Sequence, residues 1–206
     1  MAITYPFTLP VSQGFTSVDI RPVSVVGMFA SEFTGTQQTY AHPGQFLTAS
    51  VSFPPMKRED AAGIVAALMS TQGTRGTFYF GDPQWTSPRG IGTGTPLVSG
   101  ASQTGQDLIT DGWTISQTGI MKAGDWVQVG SGSTQQLCMV LADADSDGSG
   151  NATLSLFPRI RTAFADNTSL TVSSPTGVWR LMQAIDFGQQ LGAITQLGTI
   201  QFLEAF

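Results

Sequence analysis

Apolar residues in this chain recur in short alternating runs, each cut off by glycine or proline, and that pattern fits strands far better than helices. A strand shows successive side chains to opposite faces, so alternation places one face in a core and leaves the other to solvent. Residues 17–28 (SVDIRPVSVVGM) alternate Val18, Ile20, then Val23 and Val25. A register change is expected at Pro22, which has no N–H to give to a ladder. Residues 45–53 (QFLTASVSF) carry Phe46, Leu47, Ala49, Val51 and Phe53 until Pro54 and Pro55 stop the run. Residues 77–80 (TFYF) read as a short aromatic strand. Further runs at 107–109, 113–115, 125–129, 136–141, 152–157 and 169–172 have the spacing of a compact barrel or sandwich, and 178–185 and 193–203 close the chain as strands.

The exception is 57–72, where Ala61, Ile64, Val65, Leu68 and Met69 fall at helical spacing. Glu59 and Asp60 lie near the positive end of its dipole, and Gly73 supplies a stop. One amphipathic helix among strands is expected to plug the open end or face of a sheet. Residues 81–105, rich in glycine, proline, serine and threonine, read as a loop or hinge between structural units. No period of 20 to 50 residues repeats, which excludes solenoids and propellers. At 206 residues the chain can bury an adequate core as one large domain or two small ones. The fold class expected is therefore mainly β: a β-barrel-like or sandwich domain with one α-helix.

Charged residues make up 11% of the chain, against roughly 25% in an ordinary soluble domain, so much of the surface must be neutral and polar. Such a surface suits packing against other proteins. The net charge is −5, and the only lysines, Lys57 and Lys122, are far apart in sequence. No basic stripe exists to neutralise phosphates, so stable nucleic-acid binding is not expected. The single cysteine, Cys138, sits in the apolar run LCMV and reads as a buried thiol. The first residues, MAITYP, have neither a basic nor an apolar leader region, and no run of 18 apolar residues occurs, so a cytoplasmic site of synthesis and no membrane partner are expected.

The candidate chemistry is sparse. His42, in the stretch YAHPG, reads as a turn residue, and no nucleophile elbow accompanies it. One cysteine and one histidine cannot fill a zinc shell of that type. Asp143, Asp145 and Asp147 alternate before Gly148 like the first half of an EF-hand loop. Position twelve, however, is Leu154, and no helices flank the segment, so these three are weak metal candidates and the loop reads as a solvated hairpin turn. Asp107, Asp111, Asp125 and Asp186 could be nominated as a glycosidic acid–base pair, but nothing singles out two of them. The glycine-rich run 89–94 (RGIGTG) lacks a P-loop lysine and reads as connection. No catalytic residue and no cofactor is therefore expected. Of the tryptophans, Trp126 opens a strand and should be buried, whereas Trp85, in DPQW, is the best exposed candidate, for interface anchoring or for stacking on a sugar. Phe206 is expected to be docked.

Several landmarks recur in order: PGQ at 43–45, PPMKR at 54–58 before the helix, GTF at 76–78, GDP at 81–83, PRG at 88–90 and GTPLVSGA at 94–101. They continue with TDGW at 110–113, AGD at 123–125 and PRIR at 158–161. Across nearly the whole chain this series resembles a family of tail proteins of long, non-contractile-tailed bacteriophages, of the distal-tail or baseplate-hub type. The resemblance implies a β-barrel-like ring-forming domain from residues 1–90 and 177–206, with a small inserted β domain at 91–176. It further implies a homo-hexameric ring in the virion tail, made in the host bacterial cytoplasm, joining the tail tube protein to a hub or host-recognition protein. Cyclic closure covers exposed strand edges, and an acidic bore would not hold passing DNA. Trp85, Arg89 and Phe206 are the interface candidates. An alternative reading is a carbohydrate-binding module at the tail tip, with Trp113 or Trp85 as stacking platform; a tail-associated hydrolase is a third, without an organised residue set.

Overall fold

The computed structural model describes residues 3–10, 14–183 and 194–206. Among the described residues the chain is mainly β with one α-helix and barrel-like sheet closure, the class that the alternating runs led us to expect. Its strands are β1 (Phe7–Thr8), β2 (Ser17–Ala30), β3 (Gln37–Ser52) and β4 (Met56–Lys57), then, after helix α1 (Arg58–Ser70), β5 (Thr77–Phe80). There follow β6 (Gly94–Val98), β7 (Gly105–Trp113), β8 (Trp126–Val129), β9 (Gln136–Val140), β10 (Ala152–Ile160) and β11 (Leu170–Thr171). The chain ends with β12 (Gly177–Leu181), β13 (Ile194–Thr195) and β14 (Ile200–Glu204).

Two six-stranded sheets account for all but β4 and β13, which pair with each other. The first runs β1-β5-β12-β14-β3-β2 and draws its strands from both ends of the chain. The second runs β11-β8-β9-β10-β7-β6 and is built from the residues between. Its two outer strands meet: Leu97 and Ser169 form an antiparallel bridge, and the Val98 N–H donates to the Thr168 carbonyl at 2.8 Å, so this sheet nearly closes on itself. Among the described residues the first sheet keeps two edges, β1 and β2.

Each sheet has its own core. In the first, Phe78, Trp179 and Phe202 are fully buried, with Phe202 edge-on to Phe78 at 4.8 Å and to Phe80 at 5.2 Å. The Trp179 indole N–H donates to the Phe80 carbonyl at 2.8 Å. Helix α1 lays Ala61, Ile64 and Leu68 into this core, while Met69, which the periodicity placed on the same stripe, is mostly exposed. The helix stops at Thr71, whose hydroxyl donates to the Leu68 carbonyl at 2.6 Å; the first left-handed residue is Gln72, just before Gly73. The second core gathers Val98, Leu108, Val127, Val140, Leu154 and Leu156, with fully buried Cys138 among them. Trp126 and Leu137 face the first core, so the cores adjoin.

The chain crosses between sheets at one place. A Cβ on Gly81 would stand 2.1 Å from the Pro175 carbonyl oxygen, so the outgoing and returning segments touch backbone to backbone. Residues 81–105 are less loop-like than composition suggests. Gly94–Val98 is a strand, the Ile91 and Gly92 amides donate to the Gly119 and Ile120 carbonyls, and the buried Asp125 carboxylate accepts the Arg89 and Gly90 amides at 2.9 and 3.0 Å. The run at 107–109 lies within β7, which continues past Gly112, at a φ of 74°, to end at Trp113; Thr114 and Ile115, expected as strand, lie beyond it, Ile115 in a turn. The run expected at 193–203 is divided into β13 and β14. Residues 184–185 and 193, parts of two expected strands, and Asp186 lie outside the described residues. Among the described residues no helix is long and apolar enough to cross a membrane.

Candidate functional site

The surface feature that stands out physically is a two-stranded arm. Strands β2 and β3 pair from Ser17 with Ser52 outward to Ala30 with Gln37, far beyond the stretch that β14 accompanies, which ends at Thr48. The outer ladder pairs Val26 with Ala41, Gly27 with Tyr40, Met28 with Thr39 and Phe29 with Gln38. Residues 31–36 turn the chain: the Ser31 amide donates to the Thr36 carbonyl at 2.9 Å and the Gly35 amide to the Ser31 carbonyl at 3.0 Å.

This arm corrects two expectations. Residues 40–44 are not a turn but part of β3, and His42 is an exposed arm residue. The irregularity lies between Ser24 and Val26, not at Pro22, which stays in register opposite Leu47. Three residues, His42 to Gly44, oppose Val25 there, and Pro43 has no N–H for the ladder. Pro22 is tolerated because β2 is an edge strand.

The arm's chemistry is unusual for a protrusion. Between Ser24 and Gln45 the only formal charge at neutral pH is Glu32. Opposed residues share a face, so Val26 and Met28 lie on one side and Phe29 and Tyr40 on the other. Both sides thus carry exposed apolar side chains, and Phe33 at the tip is 98% exposed. A two-stranded ribbon wetted on both faces is marginal alone, and an uncharged edge strand is a template for pairing with another chain. The sequence held a signal for it: an apolar run through Phe29 that meets no breaker before the Thr34-Gly35-Thr36 turn.

The interface candidates from the sequence are scattered and differ in kind. Trp85 is half-buried and packs against the first core, so it is not the exposed platform that its loop suggested. Arg89 is exposed but engaged within the chain, its guanidinium donating to the Ala123 carbonyl at 2.6 Å and lying 3.6 Å from an Asp125 oxygen. Phe206 is 77% exposed, correcting the docked reading, although the Arg161 guanidinium lies over its ring at 4.6 Å. It sits two residues beyond β14, with the Phe46 ring of β3 at 6.3 Å.

Trp113 is 3% exposed and its indole N–H donates to the Thr110 hydroxyl at 2.8 Å, which removes it as a sugar platform. The three aspartates do not converge. Asp143 accepts the Ala123 amide at 2.8 Å, and Asp145 accepts the Gly119 amide at 2.6 Å. Asp147 accepts the Ser149 and Asn151 amides and the Asn151 side chain, bonds that hold its carboxyl below the usual range, the Asn151 side chain most of all. Among the described residues no group of three histidine, cysteine or acidic side chains is placed to hold a metal ion. Cys138 is buried, and desolvation pushes its thiol far above the ordinary value, so it has no thiolate character at neutral pH.

A buried ion pair joins the sheets. Arg161, just after β10, donates to both oxygens of Glu204 on β14, at 2.5 and 3.3 Å, and the Leu47 amide adds a third bond at 2.9 Å. Burial raises the Glu204 carboxyl above its ordinary value, and the Arg161 bonds oppose that shift without cancelling it. Comparison with protein-family models and with curated protein sequences returns no match.

Proposed function

We propose that this chain is a structural, ring-forming subunit of a bacteriophage tail, of the distal-tail or baseplate-hub type, working without catalysis. The observation that carries the reading is the arm: an uncharged ribbon, apolar on both faces, on an edge strand. Its side chains gain by being covered, and a neighbouring copy of the chain supplies the cover. In a cyclic assembly one patch meets a different patch on the next subunit, so an arm that reaches outward and a sheet that receives it need not be alike. The low charge of the whole chain and the order of its turn landmarks support the same reading.

In this role the chain forms a homo-hexamer in the virion tail, between the tail tube protein and a hub or host-recognition protein, after synthesis in the host bacterial cytoplasm. The second sheet and Phe206 offer further contact surface. The glycan-binding alternative has no supporting observation, since Trp113 is buried and Trp85 half-buried. Native mass measurement of the purified chain, followed by immunogold labelling of virions, tests the proposal. A closed oligomer and label near the tail tip support it. A chain that stays monomeric at high concentration, or never enters particles, overturns it.

A further inference from the structure

The root of the arm is held by the second sheet. Gln45 is the first β3 residue in register again after the His42 to Gly44 irregularity. Its side-chain oxygen accepts the Arg159 amide at 2.9 Å, and its backbone carbonyl accepts from an Arg161 terminal nitrogen at 2.7 Å. Two residues on, the Leu47 amide donates to Glu204, which Arg161 also holds; between them the Phe46 ring lies 6.3 Å from Phe206, itself stacked on Arg161. Three consecutive residues of β3 are thus tied to the end of β10 and to the chain's last residues. The guanidinium bridges acceptors on two strands with its side chain only 18% exposed, and Glu204 is 2% exposed, so little water competes for these bonds.

We infer that Arg161, with Arg159 and Glu204, is a positioning clamp that sets the direction of the arm relative to the second sheet. Immediately outward of the clamp the ladder is interrupted, and a bulge bends a ribbon and sharpens its twist, so the orientation of Gln45 at its base sets the direction in which the arm leaves. Its consequence for assembly rests on the ring reading: a partner held by the second sheet would act on the subunit contact through Gln45.

Nitroxide labels on Phe33→Cys and Ser149→Cys report the arm-to-sheet distance by double electron–electron resonance, while buried Cys138 stays unlabelled. Dilution with excess unlabelled protein removes distances between subunits. The parent should give one narrow distribution. R161M/E204Q, which removes the clamp and leaves no unpaired buried charge, should at least double its width while circular dichroism keeps the native spectrum. R161K retains the charge pair but not the fork that spans Gln45 and Glu204, and should broaden it to a smaller degree; it decides the matter if the double variant does not fold. A broad parent distribution, or variants as narrow as the parent, overturns the clamp. Broadening in a chain that never assembles leaves the clamp standing and sinks the ring reading; unchanged width in an assembling chain does the reverse.

Discussion

Replacing Phe29 and Phe33 by serine separates the arm's role in folding from its role in association. Both side chains lie largely in solvent, 72% and 98% exposed, so the folded subunit gains almost nothing from them. Folding stability should change by no more than about 0.5 kcal/mol per site, as for surface substitutions generally. Association is another matter. Fully burying a phenylalanine is worth about 1.5–3 kcal/mol, so at these exposures the pair supplies roughly 3–5 kcal/mol to each contact that covers it. At 1.4 kcal/mol per decade, F29S/F33S should weaken self-association roughly a hundredfold to a few thousandfold. Sedimentation velocity over a concentration series reads the association, and thermal denaturation of the same samples reads the fold. Unaltered association with an unchanged melt would refute the reasoning, because the arm would then be uncovered in the assembly. A melt lowered by many degrees would refute it differently, by showing that the two rings serve the subunit's own core.

Other substitutions test the framework behind the arm. Arg161→Met alone strands Glu204 as a buried unpaired carboxylate and should cost about 3–5 kcal/mol in urea unfolding at neutral pH. The sign of its pH dependence follows from Glu204, whose folded value is already raised by burial and rises further without Arg161. A raised group contributes stability that is present below its unfolded value and lost as pH rises through the folded one, so the R161M deficit should shrink from pH 8 to pH 5. Trp113→Ala should destabilise by about 3–5 kcal/mol through an unfilled cavity, measured by urea unfolding; a stable variant that loses only glycan binding would contradict the buried placement. Gly90→Ala should fail to fold or melt far lower, since its Cβ would stand 2.4 Å from the Ile120 carbonyl oxygen. Millimolar calcium should leave the melting temperature unchanged, because the three aspartates of the 143–147 loop bond to separate backbone amides.

The fold was legible where burial imposes a period. Strand β5 falls at 77–80 as read, and α1, β8 and β9 are within a few residues of their expected ends, because each has a face that must enter a core. The arm was legible only in its first strand, through the apolar run that reaches Phe29, and its second strand was hidden for the opposite reason. Its residues enter no core of their own chain, so Gln37 to Gly44 carry no apolar alternation, and His42-Pro43-Gly44 mimics a turn while serving as an irregularity in a long ribbon. Trp85 and Trp113 show a related limit: neither a loop position nor a strand end says whether the ring packs into a core, as Trp85 does in part against the first and Trp113 does fully in the second. The Arg161 and Glu204 pair spans 43 residues, and no local pattern could have joined its two halves.

The mass of the unmodified chain in native solution decides whether its subunits close into a ring. A closed species of six subunits is expected, whose mass does not grow with concentration and which negative-stain microscopy shows as a ring. A monomer at every accessible concentration, or an open series of ever larger oligomers, would contradict it.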